Sequence, residues 1–291
     1  MSDDLLIDKR SLRRAFEQAA ATYDAAAVLQ NEVCSRMLAR LEYIKHSPAA
    51  ILDAGSGTGN ALPGLQKHYP HAKVIALDIA LAMLKRGCRR LPWWKGWLAH
   101  AAQPVCADIE RLPFAGEAFG MIWSNLTLQW VNDLPRTLVE MRRVLMPGGL
   151  LMFSTFGPDT LRELRQAYSD TDRHTHVNRF VDMHDIGDLL VTGGFCDPVM
   201  DMEYVTLTYA DVRQLMRELK AIGAHNVTRG RPGGLYGKRR MAAVMQNYER
   251  FRRDGTLPAT FEVVYGHAWK PLPRLAPHGR PVIEIKPHAA R

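Results

Sequence analysis

The chain has 291 residues, 47% apolar and 23% charged, which is enough for one large domain with additions and excludes the disordered, fibrous and membrane-spanning classes. Cys34, Cys88, Cys106 and Cys196 are scattered with no C-x-x-C pair, which argues against a disulfide framework or a zinc site and for a reducing compartment. The net charge of +8 is concentrated: eleven Lys plus Arg face two acids between Arg213 and Arg253, while the rest nearly balances, so this segment suits nucleic acid, anionic lipid or an acidic protein, or is a solvated helix face.

The first residues, MSDDLLIDKRSLRR, mix acids with bases and contain no apolar core, and no apolar run is long enough to span a bilayer, so a cytoplasmic protein is expected. Residues 1–45 read as helices: Leu12, Ala15, Phe16 and Ala19 recur at helical spacing, and Val28 to Tyr43 is a second amphipathic stretch. Then Ile51-Leu52-Asp53-Ala54-Gly55-Ser56-Gly57-Thr58-Gly59-Asn60 reads as a buried strand, a glycine turn and a helix beginning near Asn60 or Ala61. Glycines at alternate positions allow positive φ and leave no Cβ to hold off a ligand. A dinucleotide fingerprint needs G-x-G-x-x-G, whereas here the spacing is G-x-G-x-G with Ala61 two places on, and no lysine follows as a phosphate loop requires.

The next strand candidate, Lys73 to Asp78, ends in an acid about twenty residues after the glycines, where an α/β nucleotide site places the carboxylate that accepts ribose hydroxyls; a helix N-cap is the plainer alternative. Ile79 and Met83 follow, placed to sandwich an adenine or to fill core. Trp93, Trp94 and Trp97 read as packing between helix and strand. Val105 to Phe114 is a third strand with its turn, and Phe119 to Asn125 a fourth, with Asn125 at the carboxyl edge where open α/β sheets bind ligands. Leu126 to Asp133 forms a wall beyond it. Arg142 to Gly149 closes a helix before a fifth strand, Leu150 to Thr155, and Pro158 or Asp159 begins another helix.

His174, His176 and His184 invite a metal reading, but the H-x-H lies in a polar loop without carboxylate or cysteine partners at ligand spacing, so no metal is expected. A helix ends at Gly193-Gly194. Met202 to Thr208 and Thr260 to Trp269 alternate as strands, and the helix candidates Tyr209 to Ile222 and Met241 to Arg253 lie between them, joined by a glycine- and arginine-rich loop. Residues 271–291 lack periodicity and are expected to form a mobile tail.

Asp53 before the glycines, Asp78, the turn at Asp108-Ile109 and Arg-Val-Leu-Met-Pro-Gly-Gly (143–149) resemble class I S-adenosylmethionine-dependent methyltransferases. The resemblance implies a Rossmann-like α/β fold, with about seven mostly parallel strands, helices on both faces and a helical insertion between the last two strands. It also implies that Asp53, Gly55, Ser56, Gly57, Asp78, Ile79, Met83, Asp108, Ile109 and Asn125 bind S-adenosylmethionine, Asp108 at the adenine, and that Tyr23 folds over the cofactor. A single domain follows: N-terminal helices 1–45, cofactor core 46–210, basic insertion 211–258, last strand 259–270 and tail.

FSTFGPDTLRELR (153–165), HVNRFVDMHDIGDLL (176–190), DPVMDMEYVTLTY (197–209) and LKAIGAHNV (219–227) are similar to the malonyl-[acyl-carrier protein] O-methyltransferases of biotin synthesis, over about 14–269. This implies methylation of the free carboxylate of malonyl carried by an acyl carrier protein. A carboxylate is already ionised at neutral pH and needs no general base. Arg179, beside His176 and Asn178, is expected to hold the acceptor, with Tyr23 and His176 as further catalytic candidates, and Arg229, Arg231, Lys238, Arg239 and Arg240 to dock the acidic carrier. LTLQWVNDLP and PATFEVVYGHAWK also resemble respiratory NADH dehydrogenase assembly factors, described as arginine hydroxylases, though an arginine substrate wants an acidic pocket. A non-catalytic nucleic-acid binder is the third reading; it leaves the cofactor motifs unexplained.

Overall fold

The computed structural model describes residues 6–90, 102–171, 176–224, 226–228 and 237–273. Seven strands form one sheet in the order β3-β2-β1-β4-β5-β7-β6. They are β1 (Ala50–Ala54), β2 (Lys73–Asp78), β3 (Gln103–Cys106), β4 (Phe119–Ser124), β5 (Leu145–Phe156), β6 (Cys196–Tyr209) and β7 (Leu257–Trp269). The first five run parallel, and β7 enters antiparallel between β5 and β6. Strands β1 and β4 are almost wholly buried because helices cover both faces, which is why they read as continuous apolar runs. Edge strand β6 instead alternates buried and open positions.

The order reverses between β1 and β4, so the carboxyl ends there diverge and leave a crevice. Helices α1 (Lys9–Ala19), α2 (Tyr23–Ala26) and α3 (Val28–Arg40) precede the sheet; α4 (Leu62–His68) follows the glycine turn and α5 (Leu81–Arg90) follows β2. Helix α6 (Leu134–Val144) leads into β5, and α7 (Arg162–Ser169) and α8 (Met183–Thr192) lead to β6. Helices α9 (Val212–Ala221) and α10 (Lys238–Glu249) form the insertion between β6 and β7. Asp8, Asp133, Asp182 and Asp211 each cap the helix that follows by accepting a backbone N–H.

Most elements lie where the sequence places them, and β2 has the expected bounds. Helix α7 begins at Arg162 rather than at Pro158 or Asp159. The amides that would have opened it are used across the sheet: Gly157 N–H donates to the Glu262 carbonyl, Asp159 N–H to Glu262 Oε2, and Leu161 N–H to the Thr260 carbonyl. The edge strands are also longer than expected, because antiparallel pairing of β6 with β7 continues from Tyr209 to Cys196.

Candidate active site

The crevice floor is built from the turns after β1, β2, β3 and β4. Gly55, Gly57 and Gly59 all adopt positive φ, at 86°, 55° and 76°. A Cβ on Gly55 would stand 2.0 Å from Thr127 Oγ1, so only glycine lets the loop pass the β4 turn. A Cβ on Gly57 would meet nothing within 4 Å, so its peptide is open to the cavity. Gly57 N–H donates to Asp78 Oδ2 at 2.9 Å and Ala80 N–H to Asp78 Oδ1 at 2.8 Å, which locks the glycine loop to the end of β2 and leaves each carboxylate oxygen capacity for another donor.

Tyr23, Gly55, Gly57, Asp78, Ile79 and Met83 line one cavity together with Asp108, Ile109 and Asn125. The roof is Leu12 and Phe16 of α1, with Ile222 and Ala224 from the end of α9. Lys9 crosses the far end, 3.1 Å from Asp108 Oδ1 and 3.4 Å from Glu110 Oε2. Asn132 bonds the Ile7 backbone twice, at 2.7 and 3.0 Å, which ties the start of α1 to the wall after β4. Asp24 accepts from Thr58 Oγ1 at 2.5 Å and from Arg86 Nε at 2.8 Å, so α2 is fastened to the glycine loop and α5, and Tyr23 is held over the cavity.

Two buried carboxyls, Asp53 and Asp78, lie below this roof. Burial pushes the Asp78 carboxyl up to about 6, against the pull of its amide donors. Asp53 is 2% exposed, its Oδ2 has no partner, and burial followed by the charge of Asp78 pushes it up to about 7. Burial first, and Asp78 and Asp24 next, raise the Tyr23 phenol, which stays neutral. Such a site favours a ligand that brings positive charge.

A second chamber of about 550 Å³ adjoins the first. Leu161, Leu164 and Tyr168 of the α7 region, Met216 and Leu219 of α9, and Phe261 of β7 make it largely apolar, and Gln30, Gln129, Trp130, Phe156, Ile222 and Ala224 line both spaces. Its lining also includes Glu218, Lys220 and His176. His176 stacks on Tyr168, ring centroids 4.0 Å apart.

Two expectations need correction. Arg179 is exposed and lines neither cavity: the irregular segment turns His176, Val177, Asn178 and Phe180 inward and Arg179 outward. Asp53 and Ser56 lie behind the glycine loop rather than on the cavity wall, Ser56 facing a small void with Gly59 and Leu62. Lys238, Arg239 and Arg240 are exposed in the first turn of α10, whereas Arg229 and Arg231, with His174, Trp93, Trp94, Trp97 and the tail from 274, lie outside the described residues.

Sequence reasoning passed over Gln30 and missed Lys9 as a lining residue. Nothing local marks a glutamine in the first turn of an amphipathic helix as part of a cavity. Among the described residues no cluster of metal-type ligands occurs, and no helix is long and apolar enough to cross a membrane.

Residues 52–153 match the family model described as "Methyltransferase domain". A protein of Gallionella capsiferriformans named malonyl-[acyl-carrier protein] O-methyltransferase is 59% identical, covering 97% of this chain and 98% of its own. One of the same name from Nitrosospira multiformis is 56% identical, covering 93% and 92%. Among solved structures, a putative methyltransferase of Bacillus halodurans superposes with TM-score 0.56 at 18% identity, over 80% of this chain and 98% of that one. A Haemonchus contortus phosphoethanolamine N-methyltransferase in complex with S-adenosyl-L-methionine gives 0.53 at 15%, over 88% and 57%.

Proposed function

This chain belongs to the malonyl-[acyl-carrier protein] O-methyltransferase family, and on that premise we propose that its two joined cavities hold S-adenosylmethionine and a malonyl group on the arm of an acyl carrier protein. The protein is an S-adenosylmethionine-dependent methyltransferase of class I fold. The reaction places a methyl group on the free malonyl carboxylate, and its place is an early step of biotin synthesis. The single observation that carries the assignment of the site is the wall shared by a cavity lined by Asp78 and Asp108 and a second, largely apolar one.

The residues fit the cofactor. Asp78 has acceptor capacity left that would suit ribose hydroxyls, and Ile79, Met83, Asp108 and Ile109 line the same cavity and would hold the adenine. Asp53, whose Oδ2 has no partner beneath the loop and whose proton is held up to about pH 7, would supply negative potential for the ammonium and sulfonium once it ionises, without touching them. When bound, the cofactor supplies an electrophilic methyl that the carboxylate oxygen takes in line, the carbon–sulfur bond breaking as the carbon–oxygen bond forms. The protein contributes placement and exclusion of water: α1, Tyr23 and the end of α9 cover the cofactor, and the apolar chamber strips solvent from the anionic nucleophile. No side chain need take a proton.

The carrier is read as docking on the insertion. Arg213, Arg217 and Lys220 of α9 and Lys238, Arg239 and Arg240 of α10 are exposed and make no ion pair among the described residues, α9 lines the chamber, and α10 packs on α7, which also lines it. Because the second chamber mixes Glu218 with Lys220 and His176, it does not offer the acidic pocket an arginine substrate would want. We take the whole chain as one methyltransferase domain with core 46–210 and insertion 211–258.

The reading is tested by following demethylated cofactor produced by the purified enzyme. Production that requires malonyl-carrier, and is absent with acetyl-carrier or without acceptor, is expected. Equal production with all three would overturn it.

A further inference from the structure

Methyl transfer requires the acceptor oxygen and the methyl carbon to meet, so the group that aims the carboxylate must reach both cavities. Gln30, Gln129, Trp130, Phe156, Ile222 and Ala224 satisfy this condition. Two of these carry amides, and one amide is already engaged: Gln129 Nε2 donates to the Leu126 carbonyl at 2.6 Å and its Oε1 accepts from Thr155 Oγ1 at 3.3 Å. Gln30 differs. Its Oε1 is buried and has no hydrogen-bond partner; among the described residues five other buried side-chain atoms share that condition, Asn178 Oδ1 of the second chamber included, but Gln30 alone of these lines both cavities.

The position of Gln30 is fixed from two sides. Its backbone carbonyl accepts from Asn125 Nδ2 at 3.1 Å, and Asn125 Oδ1 accepts from Ser154 Oγ at 2.8 Å, so the start of α3 is tied to the carboxyl ends of β4 and β5. The other end of α3 is tied to the edge hairpin: Arg36 pairs with Glu203, which accepts from Tyr265 Oη at 2.6 Å, and Arg40 lies 3.9 Å above the Tyr265 ring and 2.7 Å from Asp201. The helix therefore carries Gln30 as a rigid mount.

We propose that Gln30 is the residue that holds the acceptor carboxylate at the cofactor methyl, by donating from its side-chain amide. The assignment rests on the carboxyl-methylation reading above. The two ends of a glutamine amide exchange by rotation about its last bond, so the position of the orphaned oxygen is equally one for an NH₂ group, which an anionic ligand would select.

A neutral donor is also the better device here. In the ground state the carboxylate carries a full negative charge, and in the transition state that charge is being lost to the transferred methyl. A guanidinium would stabilise the reactant more than the transition state and raise the barrier, whereas an amide orients the oxygen with less of that penalty. In agreement, no arginine lines either cavity among the described residues, and Lys220 and His176 line the second chamber but not the first.

The experiment uses the full chain with malonyl-carrier and S-adenosylmethionine. Gln30→Met keeps the length and removes the donor, and is expected to lower kcat/KM roughly 10- to 100-fold while binding of S-adenosylhomocysteine by calorimetry changes less than about twofold. Gln30→Glu supplies the readout that a merely supporting role would not move. Ionised, it repels the acceptor; protonated, it is again a donor, so its activity should rise as pH falls below neutral whereas that of the wild type does not. Unchanged kcat/KM in Gln30→Met, or a Gln30→Glu pH profile of wild-type shape, would overturn the assignment. So would an equal loss of S-adenosylhomocysteine affinity, which would make Gln30 a cofactor or fold residue. A wild-type enzyme that leaves malonyl-carrier unmethylated is a distinct result: it overturns the proposed function, and this inference with it.

Discussion

Asp78 joins two jobs that the sequence shows only separately, bracing the glycine loop through Gly57 N–H and presenting a carboxylate to the cavity. Replacing it with alanine should cost about 1.5 to 3 kcal/mol of cofactor binding, roughly 10- to 150-fold in affinity by calorimetry; unchanged affinity would mean that the nucleoside lies elsewhere. Asp53 and Asp78 also predict a pH dependence. Both carboxyls hold their protons more firmly folded than unfolded, with values near 7 and 6 against the ordinary 3.8. Between about pH 4 and 7 the folded chain therefore binds more protons than the unfolded one, and the contribution of these groups to stability falls as pH rises. Asp53→Asn should raise the melting temperature of the ligand-free protein by several degrees at pH 8, by less at pH 5 and hardly at pH 4. Cofactor binding near pH 6.5 should release protons, measurable by calorimetry in buffers of different ionisation enthalpy. Asp78 was legible because its spacing from the glycines is local. Arg179 was misjudged because the direction of a side chain in an irregular segment depends on the helices that pack against it.

At the scale of elements, the strands and the glycine turn were readable from apolar runs and punctuation, since each is a local pattern that burial only confirms. The start of α7 was not, because its first amides are claimed by Glu262 and Thr260 about a hundred residues away. The roof was equally hidden: α1 reads as an ordinary amphipathic helix, yet it covers the cavity proposed for the cofactor and is pinned there by Asn132, Lys9 and the Asp8 N–H to the Val227 carbonyl at 2.9 Å. Asn132→Ala removes two hydrogen bonds to Ile7 without touching the sheet. Hydrogen exchange should show α1 losing protection while β1 and β4 keep theirs, and cofactor should dissociate several-fold faster. Unaltered exchange in α1 would show that the helix is held by its apolar face alone.

Across the whole molecule, the excess positive charge lies on the insertion that also forms one wall of the second chamber. If the carrier docks there as proposed, exposed charge of this kind would speed encounter and orient it, and such charge is screened beyond about 8 Å at physiological ionic strength. Arg239→Glu with Arg240→Glu should raise the KM for malonyl-carrier several-fold, with a smaller effect on malonyl-coenzyme A and a loss of salt dependence. Equal losses on both would reduce the segment to a support for the fold.

The central claim is that one free carboxylate receives the methyl group, and intact-mass and fragment analysis of the carrier after reaction with methyl-deuterated S-adenosylmethionine tests it most directly. The account predicts one labelled methyl on each malonyl group, located on its terminal carboxylate and removed by mild base as an ester should be. Label on the protein chain of the carrier, on the arm, or on no part of it would contradict the account.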